Sequence, residues 1–397
     1  MLTFAMLAIY IIMVGYVIWR SIHVFKRLGY IFKYKRFTVT YAAIILFMSI
    51  LLIAGAFLPV TSFQAGLHRL RYYWLGFFIY MIFFMVIADI IALIDKIVRK
   101  NRPLPMEIKK YCYRVIAGYV LFASLFFTLY GVIHSHKLTQ RTYEVAVNKD
   151  GGSVSGLKIA LIADLHLGYT FGAEQMEAVV EKINAMNPDL IIVAGDIYDN
   201  SYDAIQDPER CARILSGLKS TYGTYAVYGN HDVESMLIGG FSVTDDTYAL
   251  RDERLVKFCA DCGFTMLEDD VVLIDDSFYL IGRMDLEITG NGTTKHRTAD
   301  ELTKDLDKSK PIIMITHEPD ELYETADAGV DLLLSGHTHA GQFFPLTIVQ
   351  PFRWKNYWGI KQFDDMYSIV TSGVGVYGPS IRVFTDSEVV EINVTFE

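Results

Sequence analysis

The sequence predicts a protein in two parts: four membrane-spanning helices, followed by an α/β domain built as a sandwich of two mixed sheets. Of its 397 residues, 52% are hydrophobic, a high share for a soluble protein. Residues 1–141 carry 17 Lys and Arg against 3 Asp and Glu, a net charge of +14, whereas residues 142–397 carry 19 against 42, a net charge of −23. Alternating strands and helices are indicated only in the second part. We therefore expect a membrane region over residues 1–141 and a separate domain over residues 142–397.

Four apolar stretches have the length of a membrane helix. Each approaches the roughly 20 residues that a helix needs to cross the hydrocarbon core of a bilayer. They cover about residues 2–19, 40–60, 73–94 and 115–134. No Lys or Arg precedes the first stretch and no small-residue cleavage site follows it, which argues against a signal peptide. The sequence thus predicts a multi-pass protein of the cell membrane, with the lipid bilayer as a partner.

The basic residues between the apolar stretches predict the orientation. Six Lys or Arg lie between the first two stretches and seven between the last two, but only Arg69 and Arg71 lie between the middle two. Short basic loops remain in the cytoplasm. Both termini, and the acidic domain with them, are therefore expected outside the cytoplasm. The alternative is a cytoplasmic domain on a bundle with a different number of spans.

Two features of the sequence leave two interpretations each. Asp89 interrupts the third apolar stretch, where a carboxyl group is costly, so it is either functional or bonded to a neighbouring helix. Cys259 and Cys262 form a single CxxC, which is either a disulfide or part of an ordinary core. There is no second CxxC with which to build a zinc knuckle.

The second part alternates strands and helices and then continues mostly as strands. Apolar runs predict strands at 157–165, 189–196 and 224–230, with helices predicted at 173–186, 206–219 and 248–262. Several short strands follow, among them "IRVF" at 381–384 and "EVVEINVTF" at 388–396. Helices between the early strands and successive strands later favour an α/β sandwich with a mixed sheet pair.

Five of the predicted strands end on side chains that can bind metals. In open α/β sheets, ligands bind beyond the carboxyl ends of the strands. The residues at these ends are Asp164 and His166, Asp196, the run Asn230, His231 and Asp232, then His317, and finally His337 and His339. Five of the six histidines in residues 142–397 lie in these motifs. The "SGHTHAGQ" stretch is therefore interpreted as one edge of a metal site.

The types of ligand fit two cations better than one. Carboxylate oxygen, imidazole and amide oxygen suit manganese, iron or zinc. Seven ligands are too many for one tetrahedral site, but two cations sharing Asp196 would each have about four. The set is Asp164, His166, Asp196, Asn230, His317, His337 and His339. Two such cations about 3.5–4 Å apart serve in-line displacement at phosphorus.

The ordered motifs D-x-H, GD, GNH[DE], H and GHxH resemble the calcineurin-like metallophosphoesterase superfamily over roughly residues 155–395. "SGHTHAGQ" and "HEPD" are similar to a membrane-associated bacterial subgroup that includes hydrolases of UDP-2,3-diacylglucosamine. That subgroup usually has Gly where this chain has Ala340. The resemblance implies an α/β/β/α sandwich, and attack on phosphorus by a hydroxide that bridges two metals.

The resemblance also implies a role for each residue. Metal 1 would be bound by Asp164, His166, Asp196 and His339, and metal 2 by Asp196, Asn230, His317 and His337. His231 would be catalytic, stabilising phosphoryl oxygens or protonating the leaving group. Asp232 would orient His231 through its other N–H. Asp199 is interpreted as the start of a helix.

Several substrates and functions remain open at this point. A net charge near −23 argues against a nucleic acid partner. The leading expectation is hydrolysis of a phosphodiester or pyrophosphate in a lipid or cell-envelope precursor, with apolar stretches 236–241 and 343–358 either holding its chains or packing in the core. The alternatives are a nucleotide phosphodiesterase, a cytoplasmic domain acting on a nucleotide-lipid, or a membrane sensor or transport module whose domain only binds a phospho-ligand. The sequence identifies no protein partner.

Overall fold

The structure is a computed structural model that describes residues 2–28, 34–57, 62–100, 102, 104–238, 241–242, 246 and 248–397. It divides into two compact units. The first comprises Met1–Val132, Ile238–Val243 and Gly378–Ser380, and the second comprises Ile133–Leu237, Thr244–Tyr377 and Ile381–Glu397. Part of the apolar stretch 236–241, residues 239–240, lies outside the described residues.

Four long helices begin the chain, as predicted. They are α1 (Leu2–Leu28), α2 (Lys35–Ala54), α3 (Ser62–Val98) and α4 (Met106–Ser135). All four are long and apolar enough to cross a membrane. Three of them extend well past the apolar stretches, because hydropathy marks only the membrane-spanning part of a helix that continues into its polar flanks. The end of the second predicted stretch, residues 58–60, lies outside the described residues.

A polar cluster joins α1 to α3 within this apolar unit. The carboxylate of Asp89 accepts hydrogen bonds from Tyr16 at 2.9 Å and from Nε of Arg20 at 2.6 Å. Because an ion in hydrocarbon is stable only when it is paired, this cluster satisfies a charge that would otherwise be costly. Of the two interpretations of Asp89, the structure supports the bond to a neighbouring helix.

Among the residues that the structure describes, fourteen strands and six further α-helices follow the membrane helices. The strands are β1 (Leu138–Val147), β2 (Gly156–Ile162), β3 (Leu190–Ala194), β4 (Thr224–Val227), β5 (Leu237–Ile238), β6 (Phe241–Ser242), β7 (Phe264–Met266), β8 (Asp270–Ile274), β9 (Phe278–Gly282), β10 (Ile312–Ile315), β11 (Leu332–Ser335), β12 (Gly359–Phe363), β13 (Met366–Val370) and β14 (Ser387–Phe396). The helices are α5 (Ala173–Met186), α6 (Pro208–Leu215), α7 (Glu253–Asp261), α8 (Ala299–Thr303), α9 (Leu322–Asp327) and α10 (Gln350–Arg353).

Twelve of these strands form two six-stranded sheets. The first has the order β1-β14-β2-β3-β4-β7 and the second has the order β12-β13-β11-β10-β9-β8. The neighbours β2, β3, β4 and β7 are parallel, whereas β14 is antiparallel to β2. In the second sheet β9, β10, β11 and β13 are parallel, and β8 and β12 run antiparallel to their neighbours. Both sheets are therefore mixed, which confirms the predicted fold class.

The period of two along the strands produces a four-layered sandwich. On β2, Ile159 and Leu161 face the second sheet and pack with Ile313 and Ile315 of β10. The intervening residue Ala160 faces α5 and α6. The outer face of the second sheet packs on α8 and α9. Since successive residues of a strand point to opposite faces, fully apolar strands are buried on both sides.

Two details differ from the sequence predictions or resolve them. "IRVF" is not a regular strand, and its only ladder pairing is an isolated bridge between Val383 and Phe343. Cys259 and Cys262 are free and buried in the core beside α5 and α6. The CxxC is therefore a packing feature in this structure.

Candidate metal centre

The first group of predicted ligands meets beyond the ends of β2 and β11. Nε2 of His339 lies 3.1 Å from Nε2 of His166 and 3.4 Å from Oδ1 of Asp164. All three side chains are buried. If both of these Nε2 atoms carried a hydrogen, the two N–H groups would point at each other and neither would have an acceptor. Ligands of a common cation converge in this way, and this group could hold one.

The second group meets beyond β3, β4, β10 and β11. Oδ1 of Asn230 lies 3.1 Å from Nε2 of His317 and 3.0 Å from Nδ1 of His337. The two imidazole nitrogens are 3.3 Å apart. Together with Asp196, these two histidines form another group that could hold a cation.

Asp196 lies between the two groups. Its Oδ2 atom is 3.1 Å from Nε2 of His317 and 3.6 Å from Nε2 of His166. Atoms bound to one cation at about 2.1 Å stand about 3.0 Å apart at octahedral angles and about 3.4 Å apart at tetrahedral angles. The observed separations fall in or near this range. The donor set and its spacing therefore fit the binding of divalent cations.

Local backbone bonds hold the ligand atoms in place. Nδ1 of His317 is 2.8 Å from the carbonyl oxygen of Ala194, so a hydrogen on Nδ1 is donated there and Nε2 faces the site. Oδ1 of Asp196 accepts the backbone N–H of His231 at 2.8 Å, which leaves Oδ2 for the centre. The carboxylate of Asp164 accepts the backbone N–H of His337 at 3.0 Å.

The backbone around the centre adopts conformations that most residues avoid. Five of the seven predicted ligands have a positive φ, and such strain concentrates at functional sites. They are Asp164, His166, Asp196, His337 and His339. Ala340 also has a φ of 51°, a conformation that glycine adopts more easily. Gly195 permits close approach, because a Cβ there would meet Nδ1 of His317 at 2.5 Å.

The structure gives Asp232 a different role from the predicted one. Its carboxylate accepts the backbone N–H groups of Gly229 at 2.8 Å, Ile197 at 2.8 Å and Tyr198 at 3.2 Å. The side chain thus ties the loop after β4 to the loop after β3. Burial, with a contribution from the charge of Asp196, raises the pKa of Asp232 to about 7.

Asp199 is the carboxylate that lies beside His231. Its Oδ1 atom is 3.6 Å from Nδ1 of His231 and 3.6 Å from Nδ1 of His166. No regular helix begins at Asp199, so that interpretation of the sequence was wrong. Burial alone would raise the pKa of Asp199, but the two imidazoles outweigh it and lower the pKa to about 2.

The ring of His231 lies against the first group. Its centroid is 4.9 Å from that of His166 and 5.8 Å from that of Tyr377. Burial lowers the pKa of His231, but the carboxylates of Asp196 and Asp199 outweigh burial and raise the pKa above its usual value. The structure therefore places a partly exposed imidazole, beside two carboxylates, at the edge of the centre.

Three residues of the centre were not predicted from the sequence. Tyr377 lies 4.9 Å from His339, ring to ring, and is held by Gln342, which bonds both its N–H and its carbonyl group. The buried guanidinium of Arg382 lies 3.4 Å from Nδ1 of His339 and donates to backbone carbonyl groups after β13. Glu318, which is 2% exposed, places Oε1 3.6 Å from Nε2 of His337.

Apolar side chains lie close to the second group. The ring of Trp354 is 5.3 Å from that of His337, and Trp354 itself is buried. Several of the preceding apolar residues of stretch 343–358 expose their side chains, although Phe343 packs in the core. Phe352 is 86% exposed, and Leu346, Ile348 and Val349 are exposed as well.

Comparison with known proteins identifies the class of this domain. Residues 157–341 match the family described as calcineurin-like phosphoesterase. The chain is 26% identical over 358 residues to a transmembrane protein with metallophosphoesterase domain from Danio rerio, covering 88% of this chain and 79% of that protein. It is 29% identical over 318 residues to an uncharacterized metallophosphoesterase from Campylobacter jejuni, covering 79% and 78%. It is also 29% identical over 272 residues to one from Bacillus subtilis, covering 64% and 84%.

The family match, together with the buried His and Asp groups that could hold a metal, supports a metal-dependent hydrolase of phosphoric esters. Residues 157–341 resemble a calcineurin-like phosphoesterase domain, and they follow four helices that could span a membrane. Among solved structures, the NAD nucleotidase of Haemophilus influenzae aligns with 14% identity and a TM-score of 0.33, covering 60% of this chain and 44% of that one. That score is too low to carry an argument.

Replacing Asp232 tests its role as a backbone clamp. Asp232→Asn substitutes an amide N–H₂ for one acceptor oxygen, so at least one buried backbone N–H loses its partner. We expect the free energy of unfolding to fall by about 2–3 kcal/mol. The measurement is urea-induced unfolding of EDTA-treated full-length protein. Asp199→Asn is the matched control and should cost less than about 1 kcal/mol, since Asp199 makes no bond to these N–H groups. An equal loss in both variants would contradict the assignment.

Proposed function

We propose that the domain uses two divalent cations to hydrolyse a phosphodiester or pyrophosphate in a lipid or cell-envelope precursor. The observation that carries this proposal is the position of Asp196, whose Oδ2 atom lies within 3.6 Å of ligands from both groups. One shared carboxylate between two clusters of imidazole and carboxylate groups is the arrangement that a dinuclear hydrolytic site requires.

Two ligand sets follow from this arrangement. The first cation would be held by Asp164, His166, Asp196 and His339, and the second by Asp196, Asn230, His317 and His337. The mixture of imidazole, carboxylate and amide donors favours manganese, iron or zinc. When bound, such cations lower the pKa of a coordinated water and stabilise negative charge on phosphoryl oxygens.

His231 is the residue that we assign to the substrate. Its backbone N–H is fixed to Asp196, and its ring lies beside His166 at the edge of the centre. A raised pKa keeps this imidazole protonated at a higher pH than a free histidine, which suits it to donate a hydrogen bond to a phosphoryl oxygen or a proton to the leaving group. Asp199 is the positioning residue, because its carboxylate faces Nδ1 of His231.

The surroundings of the centre support an apolar substrate. Trp354 lies against His337, and the neighbouring Phe352 is almost fully exposed. An aromatic ring against a predicted metal ligand, in a segment that exposes several apolar side chains, fits an acyl or polyprenyl chain better than a nucleotide sugar. The net charge of −23 over residues 142–397 opposes polyanions such as nucleic acids.

The orientation that we propose places the domain outside the cytoplasm. The support is the excess of Lys and Arg between the first and second and between the third and fourth apolar stretches, compared with two arginines between the second and third. Short basic loops remain on the cytoplasmic side, and an even number of spans then returns the chain to the outside.

Metal analysis tests the shared carboxylate. Purified full-length protein should contain two transition-metal ions per chain, measured by inductively coupled plasma mass spectrometry. Asp196→Asn removes the shared ligand, so both ions should be lost or reduced to well below one equivalent. Asp199→Asn, three positions away, should retain two ions because Asp199 lies outside both ligand sets. A single ion in the unchanged protein would contradict the proposal.

Turnover tests the role of His231 and the class of protein together. His231→Ala should lower hydrolysis of bis-p-nitrophenyl phosphate roughly 10²–10⁴-fold while the metal content is unchanged. His296→Ala is the control, since His296 is the histidine of residues 142–397 outside the five motifs.

Lipid extracts of cells that carry His231→Ala should accumulate a phospholipid or precursor. Absence of turnover above metal-free protein would favour a domain that only binds a phospho-ligand, and accumulation of a nucleotide alone would favour the nucleotide phosphodiesterase.

Labelling in intact cells tests the orientation. A cysteine placed at exposed Lys295 of the domain should react with a membrane-impermeant maleimide before lysis, whereas one placed at Lys35 should react only after lysis. Both are compared in a background without Cys112. The reverse pattern would place the domain in the cytoplasm and would favour a nucleotide-lipid as the substrate.

A further inference from the structure

The membrane unit contains a cavity of about 580 Å³ between its four helices. This volume lies within the roughly 300–1,000 Å³ typical of ligand sites. Its walls are mostly apolar and include Phe25 of α1, Ile45 of α2, Phe77 and Met81 of α3, and Ile116 of α4. A space of this size and lining accommodates hydrocarbon.

One end of the cavity carries cationic side chains. Arg20 and Arg114 both line it. Arg20 is compensated, because its guanidinium lies 2.5 Å from the Asp89 carboxylate. Nε of Arg114 instead donates to the neutral carbonyl of Leu28 at 3.3 Å, and the nearby Arg27 lies over the ring of Tyr113. Among the described residues, the ion pairs of the membrane unit include neither Arg27 nor Arg114.

The position of this end along the helices is also informative. Leu28 closes α1, Phe37 lies in the first turn of α2, and Arg114 lies near the start of α4. The cationic end of the cavity therefore lies toward the end of α1 and the start of α2 and α4. Basic pockets between membrane helices at such a level bind anionic lipid headgroups.

We propose that this cavity is a binding site for one anionic phospholipid of the bilayer. Its acyl chain would lie among Ile45, Phe77 and Met81, and its phosphate would accept hydrogen bonds from the guanidinium of Arg114. A guanidinium bonded only to a neutral carbonyl retains donors that a phosphate can accept in pairs. The helices would then bind a specific lipid as well as anchor the domain. This proposal does not depend on the reaction that the domain performs.

Lipid retention in defined membranes tests the proposal. Full-length protein is reconstituted in nanodiscs of equal phosphatidylcholine and phosphatidylglycerol, then extracted into detergent, and the lipids that remain bound are counted by native mass spectrometry. We expect about one phosphatidylglycerol per chain. Arg114→Gln should lower its retention roughly fivefold, the effect expected for one arginine at a membrane surface. Lys110→Gln is the charge control, since Lys110 lies on the same helix, is paired with Glu107 and does not line the cavity.

Filling the cavity tests the apolar half of the site. Gly118 lines the cavity, and a Cβ there would have no atom within 4 Å, so Gly118→Leu should occupy the space and abolish retention. Gly15→Leu is the matched control, because Gly15 also has open space around it but does not line the cavity. Ala117→Leu provides a second filling variant if Gly118→Leu does not fold. Equal retention of both lipids, or retention unaffected by Arg114→Gln and by the filling variants, would overturn the proposal and leave only non-specific filling by bulk lipid.

Discussion

The carboxylate of Asp196 is the group on which the rest of the centre depends. It lies at the end of β3, 2% exposed, with Oδ1 fixed by the backbone N–H of His231 and Oδ2 near His166 and His317. His166 follows a strand of the first sheet and His317 follows a strand of the second sheet. The Asp196 carboxylate therefore contacts side chains from both sheets of the sandwich. Burial opposes its charge, but the surrounding histidines outweigh burial and hold the pKa of Asp196 well below its usual value. An ionised carboxylate inside the sandwich is stable because so many nitrogens converge on it.

That convergence is costly for the backbone. Side chains from five strand ends reach one point only because the chain turns within one or two residues of each strand, and five ligands take up a left-handed conformation as a result. Such a conformation costs about 1–2 kcal/mol for each non-glycine residue. The cost is offset by the apolar cores on both faces of β2, β3, β10 and β11, in which nearly every side chain is fully buried. Cations that bind this set would add stability, because they bind the folded arrangement and not the unfolded chain.

The sequence predicted the features that depend on local periodicity. The four helices are visible as apolar stretches, and the ligand positions follow from the points at which apolar strands end. The residues around His231 could not be predicted in the same way. Asp232 follows His231 directly, yet neighbouring residues project in different directions and the tight turn aims Asp232 at three N–H groups. Asp199 is 32 positions from His231 in the chain, and only the pairing of β3 with β4 brings them together.

Tyr377 and Arg382 were missed for a related reason. The "IRVF" run has the composition of a strand, but its backbone follows the loop that returns to the centre, and Arg382 within it is fully buried among carbonyl groups. The burial of an arginine can be predicted from sequence only if the groups that accept its hydrogen bonds can be identified. Arg382 donates to backbone carbonyl groups, which every residue type has, so the sequence does not reveal them. The apolar stretch 343–358 was left open between a substrate-holding role and core packing, since composition alone does not distinguish a surface patch from a core segment.

The charge distribution distinguishes between kinds of substrate. A domain with a net charge of −23 repels a soluble polyanion while it approaches through water, although salt limits the effect to about 8 Å at physiological ionic strength. A substrate that is held in the bilayer does not depend on diffusion through that field, because anchoring the domain to the same membrane raises its local concentration. Close to the centre, His231, the buried Arg382 and any cations held there would supply the positive charge that a phosphoryl group requires. The net negative charge therefore disfavours free polyanions more than it disfavours a membrane-bound phosphate ester.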